Sequence, residues 1–185
     1  MCECYGATIH HCPYCDGWEH RNERILVFAK ETDKSVELAV ELKGWSRQVT
    51  VLTNGGVLTE DQIRRLSENE IAYAQQKIVQ FMHDQGQLAG VELEGRGRLP
   101  ADAMFFHTHQ RPGCDLPCSV GVERDDIFSG HTGRKQQTNI SGLFIAGDAD
   151  GDVQFAIVAA AEGATAAVAI NSQLLKEDAD MRQKA

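Results

Sequence analysis

The sequence predicts an α/β fold built around a parallel sheet, and three stretches carry that reading. Ile25-Leu26-Val27-Phe28-Ala29 and Val49-Thr50-Val51-Leu52 are short apolar runs of the kind buried on both faces of a parallel sheet. Between them, Val36, Leu38, Val40, Leu42 and Trp45 give an apolar face to a helix that Asp33 can cap, running to about Trp45. Strand, helix and strand together make a βαβ unit with a right-handed crossover.

The remaining elements follow in order. Thr59-Glu60-Asp61-Gln62 has the spacing of a capping box and opens a helix with Ile63 and Leu66 inward. Residues 71–94 alternate weakly, with Gln85-Gly86 as a hairpin turn. Ala103-Met104-Phe105-Phe106 is another buried strand. From about Gln110 to Gln137 the chain is rich in Gly, Pro, Cys and charge and reads as a connection. Gly142 to Asp148 reads as a strand ending in Gly-Asp. A long Ala-rich helix is expected from about Val153 to Leu175, followed by a frayed tail from Lys176 to Ala185.

Composition narrows the function. With 42% apolar residues among 185, the chain can bury a core. A net charge of -9 argues against nucleic acid, because an acidic chain gains nothing from counterion release, and against an anionic membrane surface. No apolar run is long enough to span a bilayer. The acidic start, Met1-Cys2-Glu3-Cys4, has no basic region followed by an apolar stretch, so no signal peptide is expected and the expected location is cytoplasmic. Six cysteines there point to redox chemistry or metal more than to structural disulfides.

Cys12-Pro13-Tyr14-Cys15 is the strongest local signal. Two thiols at this spacing can close a small disulfide and reopen it, one attacking a substrate disulfide and the other resolving the mixed disulfide. His10, His11 and His20 are close in sequence and can favour thiolate, and Asp16 can pass protons to and from a thiol. Other readings stay open. Cys2, Cys4, His10, His11, Cys12 and Cys15 supply enough ligands for zinc, although structural zinc sites use well-separated ligand pairs, so no metal is expected. The motif also occurs in glutaredoxins, where it opens a long helix; here Asp16-Gly17-Trp18 reads as a turn. Cys114 and Cys118 are expected to be ordinary loop thiols, and His107 and His109 structural.

His11-Cys12-Pro13-Tyr14-Cys15-Asp16-Gly17-Trp18-Glu19 resembles the Cys-x-x-Cys-Asp-Gly segment of low-molecular-weight thioredoxin reductases. Gly142 to Asp148, followed by Gln154-Phe155-Ala156, resembles that family's closing flavin motif. The resemblance covers nearly the whole chain. It implies a Rossmann-like three-layer nucleotide-domain fold plus the C-terminal part of a FAD-binding domain. It implies that Cys12 exchanges with substrate, that Cys15 lies beside the flavin, and that Asp16 is the proton-transfer acid. It also implies that FAD is contacted by Gly147 and Asp148 at the ribityl chain and by Gln154, Phe155 and Ala156 at the pyrimidine edge. A helix N-terminus there suits the negative charge of a reduced flavin.

Two departures qualify the resemblance. The strand and Gly-x-Gly-x-x-Gly turn that hold the FAD pyrophosphate have no counterpart before Cys12, so the N-terminal FAD-binding segment is expected to be missing. The turn after Ala29 is Lys30-Glu31-Thr32-Asp33-Lys34-Ser35, with no glycine and with acids that repel a pyrophosphate. After Leu52 the chain has Thr53-Asn54-Gly55-Gly56 where the family has arginines. NADPH is therefore a doubtful cofactor.

The expected organisation is a redox dithiol segment over 1–18, a degenerate NAD(P)-binding-like domain over 19–110, and the C-terminal part of a FAD-binding domain over 111–185. The expected function is FAD-dependent thiol–disulfide oxidoreduction, with a thioredoxin-like protein or small disulfide as substrate and a homodimer as the assembly. The alternatives are a non-catalytic remnant or partner-dependent half-protein, and a small zinc-binding domain.

Overall fold

Apolar residues at both odd and even positions of Ile25–Ala29 need a partner layer on each face of the sheet, and the computed structural model supplies two different ones. It describes residues 2–107, 113–123, 133, 135–149 and 154–184, in two units, Met1–Thr108 and His109–Ala185.

The first unit runs through a 3-10 turn at Cys2–Cys4, β1 (Ile9–His10), α1 (Pro13–Asp16), β2 (Ile25–Ala29), α2 (Thr32–Leu42), β3 (Val49–Leu52) and α3 (Glu60–Glu68). It continues through β4 (Ala72–Ala74), β5 (Ile78–Asp84), β6 (Gln87–Leu93), β7 (Gly97–Pro100) and β8 (Ala103–His107). A five-stranded parallel sheet has the order β1-β8-β2-β3-β4, and an antiparallel sheet has the order β5-β6-β7. Ile25, Val27, Val49, Val51, Ala103 and Phe105 pack with Val36, Ala39 and Leu42 of α2 and Leu66 of α3. Ile9, Leu26, Leu52 and Met104 pack with Leu88, Val91 and Leu93 of the antiparallel sheet. Helices, parallel sheet and antiparallel sheet are the three layers of the Rossmann-like α/β fold that the sequence predicts. Strand β4 is too short, and edge strand β7 too short and polar, to be read from sequence.

Local signals hold with one correction. Thr59 and Gln62 form the capping box: Thr59 Oγ1 accepts from the Gln62 amide at 3.2 Å and Gln62 Oε1 from the Thr59 amide at 2.9 Å. Gln85 (φ 48°) and Gly86 (φ 82°) make the two-residue turn between β5 and β6, where a primed turn matches the twist of the strands. Asp33, however, does not cap α2. Glu31 holds the capping position and Asp33 lies in the first turn, where its carboxylate accepts from Gln62 Nε2 at 2.5 Å. The helix closes at Leu42, leaving Trp45 in the turn beyond.

In the second unit, α4 spans Leu116–Ser119, a 3-10 turn spans Gly147–Ala149, and α5 spans Ala156–Lys184. The expected strand over 142–148 is reduced to one antiparallel bridge between Gln137 and Phe144, flanked by bonds from the Thr138 amide to Leu143 O and from the Ile145 amide to Gln136 O. An apolar run becomes a strand only where neighbours satisfy its backbone, and here three residues on one side do so. The expected frayed tail is helical through Lys184, as befits strong helix formers such as Leu174, Leu175 and Lys176 and a bond from Gln173 to Glu177. Val153 and His109 lie outside the described residues, as do residues 110–112, 124–132 and 134 of the connection. Among the described residues no helix is long and apolar enough to cross a membrane.

Replacing the fully buried Leu42 with Ala is expected to cost about 2–5 kcal/mol through lost burial and a residual cavity. Thr59→Ala should cost about 1 kcal/mol by leaving one amide of α3 without its acceptor. Denaturant unfolding of the two variants checks the order: a Thr59→Ala variant as unstable as Leu42→Ala contradicts this account of the layer.

Candidate redox dithiol site

Strand β1 contributes only two residues to the sheet, yet it sets the site. Ile9 pairs with Met104 and His10 with Phe105, so the chain leaves the sheet edge two residues before Cys12. Cys12 is the N-cap of α1 and Pro13 its buried first residue, a position where the missing N–H costs nothing. Cys12 and Cys15 form a disulfide with Cα atoms 5.3 Å apart. The Cys15 amide donates to Cys12 Sγ at 3.0 Å, a contact that also favours negative charge on that sulfur after reduction. Cys15 is exposed, Cys12 half-buried, and Tyr14 and Trp18 are exposed on either side.

The helix is four residues long and ends where Gly17 is required. A Cβ at Gly17 would come within 2.7 Å of the Trp45 ring. Trp45 meets Trp18 edge-on at 6.4 Å, and the Arg21 guanidinium lies 4.4 Å over Trp18. The turn after Asp16 is thus packed against the end of α2, and the long helix of a glutaredoxin has no room to form.

Asp16 reaches back to β1, its carboxylate 3.4 Å from His10 Nδ1. His10 is 6% exposed and shares a row of the sheet with Phe105 and Val27, on the face packed against α2. Its other nitrogen lies 2.9 Å from His20 Nε2, and His20 Nδ1 lies 2.8 Å from Glu23 Oε2. Burial holds the His10 imidazole below its ordinary range; Asp16 draws it back up and His20 lowers it. The sequence places His10 and His20 near the dithiol, but not their contact with each other, nor Glu23. A polar residue at a sheet position that should be apolar was the available signal.

Among the described residues three further cysteines are free thiols. Cys4 is a buried free thiol in the sheet-side core, and Cys114 and Cys118 are free thiols in the second unit, where Cys114 Sγ accepts from the Leu116 amide at 3.2 Å. Among the described residues no group of three or more His, Cys, Asp or Glu side chains is placed to hold a metal ion.

No protein-family model matches the chain. A protein of Arthroderma benhamiae assigned as a thioredoxin reductase is 26% identical over 96% of this chain and 51% of its own length. The thioredoxin reductase of Streptomyces clavuligerus is 27% identical over 88% of this chain and 53% of its own. The crystal structure assigned to thioredoxin reductase TrxB from Bacillus anthracis superposes with a TM-score of 0.87 at 25% identity, covering 95% of this chain and 59% of that one. The chain is thioredoxin-reductase-like. It spans about half the length of the curated relatives it matches.

The sequence resemblance implies contacts to FAD from residues of the second unit. Gly147 has φ 77° and donates its amide to the buried Glu162 carboxylate at 2.6 Å, which ties the 3-10 turn to α5. Asp148 in that turn is exposed, and Gln154 and Phe155 lie half-buried just before Ala156 opens the helix. An exposed carboxylate and the amide-bearing end of a 29-residue helix fit a ribityl chain and a flavin edge. The turn after β2, where the resemblance implies a pyridine nucleotide, offers it poor contacts. At the end of β2, Ser35 Oγ accepts from the Ala29 amide at 2.8 Å, and Gln62 Nε2 donates to Thr32 and Asp33 across the first turn of α2. That turn is acidic and fixed by side chains where a pyrophosphate needs bare glycine backbone.

His10 gives this thioredoxin-reductase-like chain a pH dependence of stability. Its folded pKa is depressed, so the unfolded chain takes the proton first. The stability is fully present above the ordinary histidine pKa of about 6.5 and is lost as pH falls through the folded value. Melting temperature should drop between about pH 6.5 and 5, and more shallowly in His10→Gln. Equal slopes in the two proteins contradict the assignment.

Proposed function

We propose that this chain carries the redox dithiol and part of the flavin contact of a FAD-dependent thiol–disulfide oxidoreductase. The observation that carries the reading is the Cys12–Cys15 disulfide at the N-terminus of α1, with Cys15 exposed and Asp16 next in the chain. In the reduced dithiol, the Cys12 thiolate attacks a disulfide of a thioredoxin-like protein or small molecule, and Cys15 resolves the mixed disulfide. Asp16 takes the proton that the resolving thiol gives up. FAD, when bound, supplies or accepts the electron pair; Gly147 and Asp148 would contact its ribityl chain, and Gln154, Phe155 and Ala156 its pyrimidine edge.

Under this reading residues 1–18 are the dithiol segment, 19–110 an NAD(P)-binding-like domain that has lost its nucleotide contacts, and 111–185 part of a FAD-binding domain. The protein works in the cytoplasm as a homodimer, without nucleic acid or membrane as partner. A second reading, a half-protein that needs a partner chain, is favoured by α5, which exposes Ile157, Val168, Leu174, Leu175 and Met181.

In the FAD-loaded protein, Cys12→Ser and Cys15→Ser are each expected to abolish disulfide turnover, and Cys12→Ser to show a long-wavelength charge-transfer band from the remaining thiolate. Full turnover in either variant would sink the dithiol reading. Calorimetry with NADPH and NADH should show no micromolar binding; tight binding of either would overturn the account of the degraded crevice. The chain by itself is expected to lose FAD on gel filtration, since two or three missing charge-assisted contacts of roughly 1.5–3 kcal/mol each weaken binding by about a hundredfold or more. A chain that elutes yellow contradicts this.

A further inference from the structure

We infer that His10, His20 and Glu23 form a buried proton relay that connects Asp16, at the dithiol, to a separate opening at Glu23. The inference rests on the dithiol reading given above and extends it to residues outside the Cys-x-x-Cys-Asp motif.

Four side chains stand in a line with three gaps between them: Asp16 to His10 at 3.4 Å, His10 to His20 at 2.9 Å, and His20 to Glu23 at 2.8 Å. The His10–His20 gap joins the two Nε2 atoms, so one imidazole donates there and the other accepts. Each gap needs one proton to be attractive. Two neutral imidazoles carry only two N–H groups. The third proton must come from a carboxyl group at one end or from protonation of an imidazole. With one such proton the two inner gaps are hydrogen bonds and the 3.4 Å gap is an ion-pair contact, where the Ala7 backbone also meets His10. Moving each proton across its own gap carries one charge from Glu23 to Asp16 with small shifts of heavy atoms. The middle of the line is sealed, with side-chain exposures of 6% for His10 and 10% for His20, while Asp16 and Glu23 are 39% and 40% exposed. Phe105 packs against both imidazoles, its ring 5.5 Å from His10 and 6.2 Å from His20. The other titratable groups that bear on the pair are His11, which lowers His10, and Asp102, which is held by Arg24 and feels His20.

The relay matters when a protein substrate sits on the dithiol. A partner covering Tyr14 and Cys15 shuts Asp16 off from water, and Glu23 remains the way in for protons. In the measurable direction, a thiol of a reduced thioredoxin-type protein loses its proton to solvent and its sulfur bonds Cys12 Sγ. The Cys12–Cys15 bond breaks with its electron pair on Cys15, which takes a proton from Asp16. The partner's second thiol then loses its proton, displaces Cys12 and leaves the partner oxidised; the Cys12 thiolate takes up the second proton. The proton lost by Asp16 returns through His10 and His20 from Glu23.

The test measures opening of Cys12–Cys15 by a reduced thioredoxin-type protein and, separately, by dithiothreitol, from pH 5.5 to 8. Wild type, His20→Gln and Glu23→Gln are compared; Glu23→Gln keeps an acceptor for His20 at a half-exposed position and guards against misfolding of the buried variant. The relay predicts a loss of about tenfold with the protein reductant in both variants, toward the low end of what a positioned acid contributes. It also predicts a flattened pH profile, with dithiothreitol rates within about twofold of wild type. Unchanged rates and profiles with the protein reductant overturn the relay and leave the dithiol reading intact. Equal slowing with both reductants also overturns it, because a structural role would act on both. A wild-type disulfide inert to both reductants overturns the dithiol reading and the relay together.

Discussion

The pairing of β1 with β8 is the constraint on which the candidate site depends. Two residues, Ile9 and His10, add a fifth strand to the sheet. Their register against Met104 and Phe105 fixes where the chain leaves the edge, and the disulfide begins two residues later. Ile9 buries its side chain on the antiparallel-sheet face, and His10 necessarily points to the other, because the side-chain period of a strand is two. A short strand would be weak alone. Here it is closed on one side by β8 and continued on the other by α1, whose turn is packed under Trp45.

That register places an imidazole where neighbouring rows carry Val27 and Phe105. An unpaired polar group there would be expensive, and the surroundings answer it with a partner for each nitrogen. The same physical need explains why Asp16 turns back toward the sheet and why His20 and Glu23 line up behind it. Among the described residues no buried side-chain nitrogen or oxygen lacks a hydrogen-bond partner. The side chains next to the disulfide are thus also those that allow a histidine to sit in the core.

The layers were legible because burial on both faces produces uninterrupted apolar runs, and the hairpin because Gln85-Gly86 suits a primed turn. The dithiol was legible because its meaning lies in a spacing. What could not be read depended on tertiary partners. Asp33 looked like a helix cap, but Gln62 from another helix took its carboxylate. Residues 142–148 looked like a strand, but among the described residues only Gln136 to Thr138 pair with them. The imidazole pair spans ten residues without a periodic pattern, so only the β1 register reveals it. The turn after β2 was the reverse case: the absence of glycine after Ala29 was plain in the sequence, and side-chain bonds cross the first turn of α2 there.

The central claim is that Cys12 and Cys15 are a reversible redox couple anchored to the sheet edge. A redox titration in thiol–disulfide buffers, read by thiol trapping and mass spectrometry, tests it most directly. The account predicts one two-electron transition confined to Cys12 and Cys15, tenfold in ratio per roughly 30 mV, within about −300 to −180 mV. Cys4, Cys114 and Cys118 should remain thiols throughout. A Cys12–Cys15 pair that stays in one state across that range, or a transition that pairs Cys12 with any other cysteine, would contradict it.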